Sequence, residues 1–209
     1  APSFSPSKNF AKQLLGSLPF SLTGAQKRVS KEIVQDLKQN KPMLRLVQGD
    51  VGAGKTLVAG VAACHALEEG WQVALMAPTE ILAEQHYLNF KKWFEPLGLN
   101  VSWLSGKQKG KARAAAEQGI KEGTANLVVG THALFQENVG FAKLGLVIID
   151  EQHRFGVDQR LALRNKGANN MTPHQLVMTA TPIPRTLAMS AYGDLDTSVI
   201  DELPPGRTP

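Results

Sequence analysis

The stretch 43–62 reads MLRLVQGDVGAGKTLVAGVA, and its character changes twice along its length. Residues 43–48 are mostly apolar, as in a buried strand, and they lead directly into a glycine-rich turn. Residues 49–56 match the phosphate-loop pattern of glycine, four residues, glycine, lysine and threonine. Apolar residues then recur with helical spacing from Leu57 to Ala62. A strand, a phosphate loop and a helix in this order predict an α/β nucleotide-binding domain.

The phosphate loop contains the groups that bind a nucleoside triphosphate. Its glycines let backbone N–H groups converge on phosphate oxygens, and the next helix directs the positive end of its dipole at them. Lys55 adds a positive charge, and Thr56 offers a hydroxyl to a magnesium ion. The predicted phosphate-binding residues are Gly49, Asp50, Val51, Gly52, Ala53, Gly54, Lys55 and Thr56. The alternative is a plain glycine turn between a strand and a helix.

Two adjacent carboxylates, Asp150 and Glu151, end the apolar run 144–150. Because charge is costly to bury, these carboxylates need a partner. Magnesium prefers oxygen ligands, so Asp150 is predicted to hold the ion through water beside the phosphate loop. Glu151 is then placed to orient or deprotonate the attacking water. Capping of the following helix is the alternative role for both residues.

Gln26 has two possible roles. Thr23 and Gln26 have the spacing of a capping box, which would begin a helix that continues to Leu37. A glutamine amide can equally donate and accept hydrogen bonds at an adenine edge. Spacing alone does not separate these roles.

Seven apolar segments are strand candidates, and amphipathic segments separate most of them. One of these amphipathic segments has apolar or amide residues at 81, 82, 85, 88 and 90, which predicts a helix. Strands that are apolar throughout and alternate with helices predict a mainly parallel sheet with helices on both faces. The strand candidates are residues 43–48, 71–77, 99–105, 125–130, 144–150, 175–180 and 197–200.

Length and composition favour one intracellular domain among 209 residues. Lysine and arginine outnumber aspartate and glutamate by 23 to 18, which suits a polyanionic partner without requiring one. The single cysteine, no apolar run of membrane-spanning length and no signal peptide together predict a cytoplasmic protein without membrane contact. We expect a flexible arm over 1–17, the domain over 18–200 and a linker over 201–209.

Six motifs occur in the order typical of superfamily-two helicases, and the chain resembles the bacterial RecG family within them. The resemblance covers nearly the whole chain from about Leu18, and it is supported further by GKQKGKAR at 106–113 and by the closing residues 194–209. The transcription-repair coupling translocases share HRFGV and TATPIPRT but fit the other motifs less well. The six motifs are FSLTGAQ (20–26), GDVGAGKT (49–56), MAPTEILAEQH (76–86), VGTHAL (129–134), DEQHRFG (150–156) and TATPIPRT (179–186).

The resemblance implies a RecA-like P-loop NTPase domain that uses ATP and Mg²⁺. It implies catalytic roles for Lys55, Glu151 and His153, with His153 linking the nucleotide site to Thr179 and Thr181. It also favours adenine recognition by Gln26 over a capping role alone.

The loops that resemble DNA-tracking motifs carry hydroxyl, amide and basic groups suited to phosphate contacts. Ordinary helix caps and a solvated basic face are the alternatives. The predicted DNA-binding or coupling residues are Thr79, Gly106, Lys107, Lys109, Thr131, Arg154, Phe155, Thr179, Thr181 and Arg185.

The function implied by the resemblance is that of the first motor lobe of a DNA helicase acting on branched DNA in replication restart, recombination and repair. The implied partners are branched DNA, a second RecA-like lobe and an N-terminal branch-recognition domain, with a nucleoid location in a bacterium. We expect the lobe alone to hydrolyse ATP very slowly. A non-catalytic DNA-binding module and a small phosphotransferase are the alternatives from other classes.

Overall fold

The computed structural model describes residues 2–49, 54–131, 134, 139–150, 172–180 and 196–200. The described helices are α1 Phe10–Gly16, α2 Gly24–Leu37, α3 Lys55–Glu68, α4 Glu80–Phe94 and α5 Gly110–Glu122, with a 3₁₀ helix at Glu95–Leu97. The described strands are β1 Leu44–Gly49, β2 Gln72–Met76, β3 Val101–Leu104, β4 Leu127–Gly130, β5 Leu144–Asp150, β6 His174–Thr179 and β7 Asp196–Ile200.

These strands form one sheet in the order β3-β4-β2-β5-β6-β1-β7, and each described pairing is parallel. All seven predicted strand segments are confirmed, as is the α/β class with a parallel sheet. Because the strands are parallel, their carboxyl ends meet at one edge of the sheet. At that edge lie the described residues with which four of the predicted motifs leave their strands: Gly49, Thr131, Asp150 and Thr179.

Alternate residues of the central strands enter two different hydrophobic cores, one on each face of the sheet. On β2, for example, Val73 and Leu75 pack into the core that α1 to α4 cover, whereas Ala74 and Met76 face the core beside α5. Strands that are apolar throughout therefore bury both faces, as the sequence predicts for a parallel sheet. Among the described residues, no helix is both long and apolar enough to cross a membrane.

The prediction of a flexible arm over 1–17 is wrong for the described part of this segment. Phe4 is 1% exposed, and its ring meets the edges of Trp71 and His174 at centroid distances of 5.9 and 5.5 Å. The space for this ring exists because Gly145 has no side chain: a Cβ there would lie 2.7 Å from Phe4. A serine- and proline-rich composition indicated an arm, but a buried aromatic side chain holds the segment in place. The domain boundaries remain predictions, and 201–209 lie outside the described residues.

The carboxylate of Glu68 fixes the start of α1. The backbone N–H groups of Lys8, Asn9 and Phe10 donate to its oxygens at 2.7 to 3.0 Å. Burial acts to raise the pKa of the Glu68 carboxyl, but these hydrogen bonds and one from Ser7 outweigh it, so the pKa lies below its ordinary value. Ionised Glu68 therefore stabilises the fold, because hydrogen bonds to the charged form lower a carboxyl pKa.

Glu68→Gln is expected to lower the free energy of unfolding at neutral pH and to have little effect in acid. With a lowered folded pKa, the contribution of Glu68 is complete above the unfolded pKa and disappears as the pH falls through the folded pKa. Urea unfolding at about pH 7 and about pH 3 measures the difference. Glu84→Gln, at an exposed carboxylate on α4, is the control. An equal effect of Glu68→Gln at both pH values would contradict the assignment.

Candidate functional site

The two described ends of the phosphate loop lie between β1 and α3. Gly49 ends β1, and Gly54 precedes α3 with φ +82°, a left-handed conformation that favours glycine. The ammonium of Lys55 donates to the carbonyl oxygen of Gly49 at 2.7 Å, which joins the two ends. Lys55 thus lies at the helix N-terminus, where a phosphate group binds in such loops. The loop residues Asp50, Val51, Gly52 and Ala53 lie outside the described residues, so their roles remain predictions.

Gln26 caps α2 and also packs against the phosphate loop. The backbone N–H of Thr23 donates to Gln26 Oε1 at 2.8 Å, and that of Gln26 donates to Thr23 Oγ1 at 3.2 Å. The capping box is therefore confirmed. A Cβ at Gly54 would lie 1.8 Å from Gln26 Nε2, so a larger residue there would displace this amide. The same side chain joins the start of α2 to the phosphate loop, and adenine recognition remains a prediction.

Asp150 ends β5 at the same edge of the sheet as the phosphate loop. Strand β6 separates β5 from β1, so the ends of β1 and β5 are two strand spacings apart, or about 10 Å. The side chain of Asp150 is 15% exposed, and its Oδ2 lies 2.7 Å from Nε2 of His86 on α4. The hydroxyl of Thr56 and the carboxylate of Asp150 are hard oxygen donors of the type that Mg²⁺ prefers. These residues therefore suit a magnesium ion held partly through water.

Glu80, in the first turn of α4, holds three motif loops together. Its carboxylate accepts hydrogen bonds from the Ser105 hydroxyl at 2.9 Å, the Gly106 N–H at 3.0 Å and the Thr131 hydroxyl at 3.3 Å. Ser105 and Gly106 follow β3, and Thr131 follows β4; these two strands lie at one side of the sheet. We call Glu80, Ser105, Gly106 and Thr131 the Glu80 cluster. It brings together three segments that the sequence analysis assigned to DNA.

The hydroxyl groups predicted to contact DNA are engaged within the protein. Thr79 Oγ1 accepts a hydrogen bond from Leu82 N at 3.2 Å, so its capping role is confirmed. Thr131 and Thr179 are each 3% exposed, and the Thr131 hydroxyl donates to Glu80. Among the described residues predicted to contact DNA, the exposed ones are Thr79, Gly106, Lys107 and Lys109. Because the N–H groups of Gly106 and Lys107 donate within the protein, the ammonium groups of Lys107 and Lys109 are the groups best placed for a phosphate strand.

Several predicted site residues lie outside the described residues, and their roles remain predictions. They are the proposed general base, the histidine two residues after it in DEQHRFG, and the residues proposed for coupling to DNA. These residues are Glu151, His153, Arg154, Phe155, Thr181 and Arg185.

Sequence reasoning missed both Glu80 and His86. Glu80 looks like an ordinary carboxylate in a first helical turn, where the helix dipole favours it. The predicted apolar face of α4 is also wrong in part: Ile81 and Leu88 are 71% and 57% exposed, whereas His86 is buried. The available signal was a histidine at helical spacing from Ala83 and Phe90, but it becomes visible only once the buried face is known.

Comparison with known proteins gives matches to helicases along the chain. Residues 23–190 match the family described as DEAD/DEAH box helicase. The chain is 64% identical to the ATP-dependent DNA helicase RecG of Escherichia coli strain K12, over 100% of this chain and 30% of that protein. It is 66% identical to the ATP-dependent DNA helicase RecG of Haemophilus influenzae, over 95% of this chain and 29% of that protein.

A solved structure has the same fold. The structure of RecG bound to a three-way DNA junction matches 97% of this chain and 27% of the solved chain, with a TM-score of 0.82 and 47% identity. The resemblance predicted from the motifs is confirmed by these matches. The chain spans about 30% of the length of the RecG proteins that it matches.

Proposed function

The chain belongs to the DEAD/DEAH box helicase family, and from that membership we propose that it is the first motor lobe of an ATP-dependent DNA helicase. One observation carries the proposal: the described residues predicted to bind nucleotide and those predicted to contact DNA lie at the same edge of one parallel sheet. Lys55 begins α3 and donates to Gly49 at the end of β1, Asp150 ends β5, and the Glu80 cluster lies beyond β3 and β4. A lobe with this arrangement can couple nucleotide hydrolysis to a change in its contacts with a DNA strand.

ATP and Mg²⁺ are the proposed cofactors. Lys55 and the phosphate loop hold the phosphates, and Thr56 and Asp150 hold the ion, which neutralises charge on the transferred phosphoryl group when bound. Glu151 orients and deprotonates the attacking water. Gln26 recognises the adenine edge, for which its contact with Gly54 places it beside the phosphate loop. His153, Thr179 and Thr181 connect this site to the DNA-binding side.

Branched DNA is the proposed substrate. The support is the similarity to RecG, whose solved structure holds a three-way DNA junction. The ammonium groups of Lys107 and Lys109, which follow Gly106 in the loop that Glu80 holds, would contact the phosphates of one strand. Arg154, Phe155 and Arg185 are proposed to transmit the nucleotide state to this contact. Because phosphate contacts release counterions, binding should weaken steeply with salt.

The proposed partners are a second RecA-like lobe and an N-terminal branch-recognition domain. Support comes from the fraction of about 30% of the RecG proteins that this chain spans. The proposed role is in replication restart, recombination and repair on the bacterial nucleoid, in the cytoplasm.

Hydrolysis of ATP by the full-length protein tests this proposal, measured without DNA, with linear duplex and with a three-way junction. Stimulation that is stronger with the junction supports it. Equal stimulation by linear duplex would favour a translocase of the transcription-repair coupling type. A protein that binds DNA but hydrolyses no ATP would be a DNA-binding module, and the proposal would be rejected.

Glu80→Gln is expected to weaken junction binding by about tenfold, the equivalent of losing one hydrogen bond to a charged group. Glutamine keeps the size of the side chain but has one acceptor oxygen, which cannot serve Ser105, Gly106 and Thr131 together. Fluorescence anisotropy with labelled junction DNA measures the affinity. Glu84→Gln, one turn along the same helix and exposed, is the matched control. Equal affinities for the two variants would show that the Glu80 cluster does not shape the DNA-binding edge.

A further inference from the structure

His86 occupies a position where an apolar side chain would be expected. The buried residues of α4 are Ala83, His86, Phe90 and Phe94, and His86 is 7% exposed. Its Nδ1 atom is buried and has no hydrogen-bond partner among the described residues. An unpartnered buried polar atom costs free energy that an apolar residue at this position would not incur. The histidine therefore needs a reason other than packing.

The other ring nitrogen supplies that reason. Nε2 lies 2.7 Å from Oδ2 of Asp150, the carboxylate at the end of β5. An ionised carboxylate only accepts hydrogen bonds, so Nε2 carries a proton and donates it to Asp150. A hydrogen bond to an ionised acceptor is shorter and stronger than one between neutral groups. One ring nitrogen thus holds an oxygen of Asp150, while the other is buried without a partner among the described residues.

We propose that His86 is a positioning residue for the magnesium site: it fixes Oδ2 of Asp150 so that the other carboxylate oxygen is presented to the ion and its water shell. This inference rests on the proposed function, because it assumes that Asp150 binds magnesium. Groups that orient a ligating carboxylate contribute to metal affinity without touching the metal. Within the chain, His86 and Asp150 are 64 residues apart and are brought together by the packing of α4 against the sheet.

Two substitutions in the full-length protein separate positioning from packing. His86→Gln places an amide N–H near the position of Nε2 and keeps a donor for Asp150. His86→Leu introduces an apolar side chain of similar size that has no hydrogen-bond donor. We expect His86→Leu to raise the Mg²⁺ concentration for half-maximal ATP hydrolysis by about tenfold or more, and His86→Gln to remain close to the unaltered protein.

Metal binding is measured separately from activity. Electron paramagnetic resonance of Mn²⁺, in the presence of a non-hydrolysable ATP analogue, reports the bound ion directly. We expect the same order of variants: unchanged Mn²⁺ affinity in His86→Gln and weakened affinity in His86→Leu. A residue that acts only on packing would not give this order.

Thermal unfolding supplies the structural control. His86→Leu removes a polar atom that has no partner among the described residues but also loses the hydrogen bond to Asp150, so these opposing changes should leave its melting temperature close to that of the unaltered protein. His65→Leu is the matched control, because His65 is also buried and accepts a hydrogen bond from the Ser7 N–H at 2.8 Å, on the part of α3 far from the phosphate loop. It should lower stability and leave Mn²⁺ affinity unchanged.

Unchanged Mn²⁺ affinity in His86→Leu, or equal losses in His86→Leu and His86→Gln, would overturn the inference. If His86→Leu does not fold, His86→Asn replaces it, because its shorter amide does not reach Asp150. Absence of ATP hydrolysis by the unaltered protein would reject the proposed function instead. Normal hydrolysis in the unaltered protein, with all His86 variants identical to it, would reject this inference alone.

Discussion

ATP hydrolysis by this chain is expected to rise by about 10³- to 10⁵-fold when the proposed second motor lobe is added together with branched DNA. In the proposed arrangement this lobe supplies the groups that bind phosphate, magnesium and water, and the second lobe supplies arginines that stabilise the charge of the transition state from the opposite side. Groups of that kind are worth about 10³ to 10⁵ in rate in comparable enzymes. A coupled assay of phosphate release, with each lobe alone and with both lobes, measures the effect.

This experiment also contains its own controls. The same mixture with Lys55→Ala in the first lobe should remain slow, because the charge at the phosphate loop is then missing. Binding of a fluorescent ATP analogue to each lobe separates weak binding from slow chemistry. Fast, DNA-stimulated hydrolysis by this chain alone would contradict the prediction and would mean that one lobe contains the complete catalytic site.

Glu151→Gln in the full-length protein is expected to lower the rate of ATP hydrolysis by about 10² to 10⁴, the typical contribution of a general base. Glutamine keeps the size of the side chain but cannot take a proton from the attacking water. Because Lys55 and Asp150, the proposed ligands of the phosphates and the ion, are unchanged, nucleotide affinity should stay within about twofold, as expected for a group that acts mainly in the transition state. Single-turnover hydrolysis and equilibrium nucleotide binding measure the two quantities separately.

Asp150→Asn provides the comparison for Glu151→Gln. It should weaken Mg²⁺ binding, so that high Mg²⁺ restores part of its activity, whereas no Mg²⁺ concentration should rescue Glu151→Gln. Normal hydrolysis in Glu151→Gln would show that another group activates the water. Rescue of both variants by Mg²⁺ would assign both carboxylates to the metal instead.

The order of motifs along the chain determined the class of the protein. Local patterns were sufficient for this: the strand, loop and helix of 43–62 and the apolar run ending at Asp150 each have a spacing that reflects their own backbone geometry. All seven strands and the parallel sheet followed from such patterns. The shared edge of the strand ends then followed from parallel topology alone.

The contacts between distant segments were decided by the tertiary structure. A serine- and proline-rich segment at the start of the chain is held by Phe4, because Gly145 leaves space for its ring. The Glu80 cluster joins residues that lie 25 to 51 positions apart. No local pattern specifies such a contact, since it depends on which strands become neighbours in the sheet.

The two sources of information therefore answer different questions about this protein. The sequence by itself determined the fold class, the phosphate loop and the carboxylates, because each depends on residues close together in the chain. Only the tertiary structure decided that Gln26 packs on Gly54 and that His86 meets Asp150. The physical reason is that the packing of helices on a sheet sets which side chains become neighbours, and this packing is a property of the whole core.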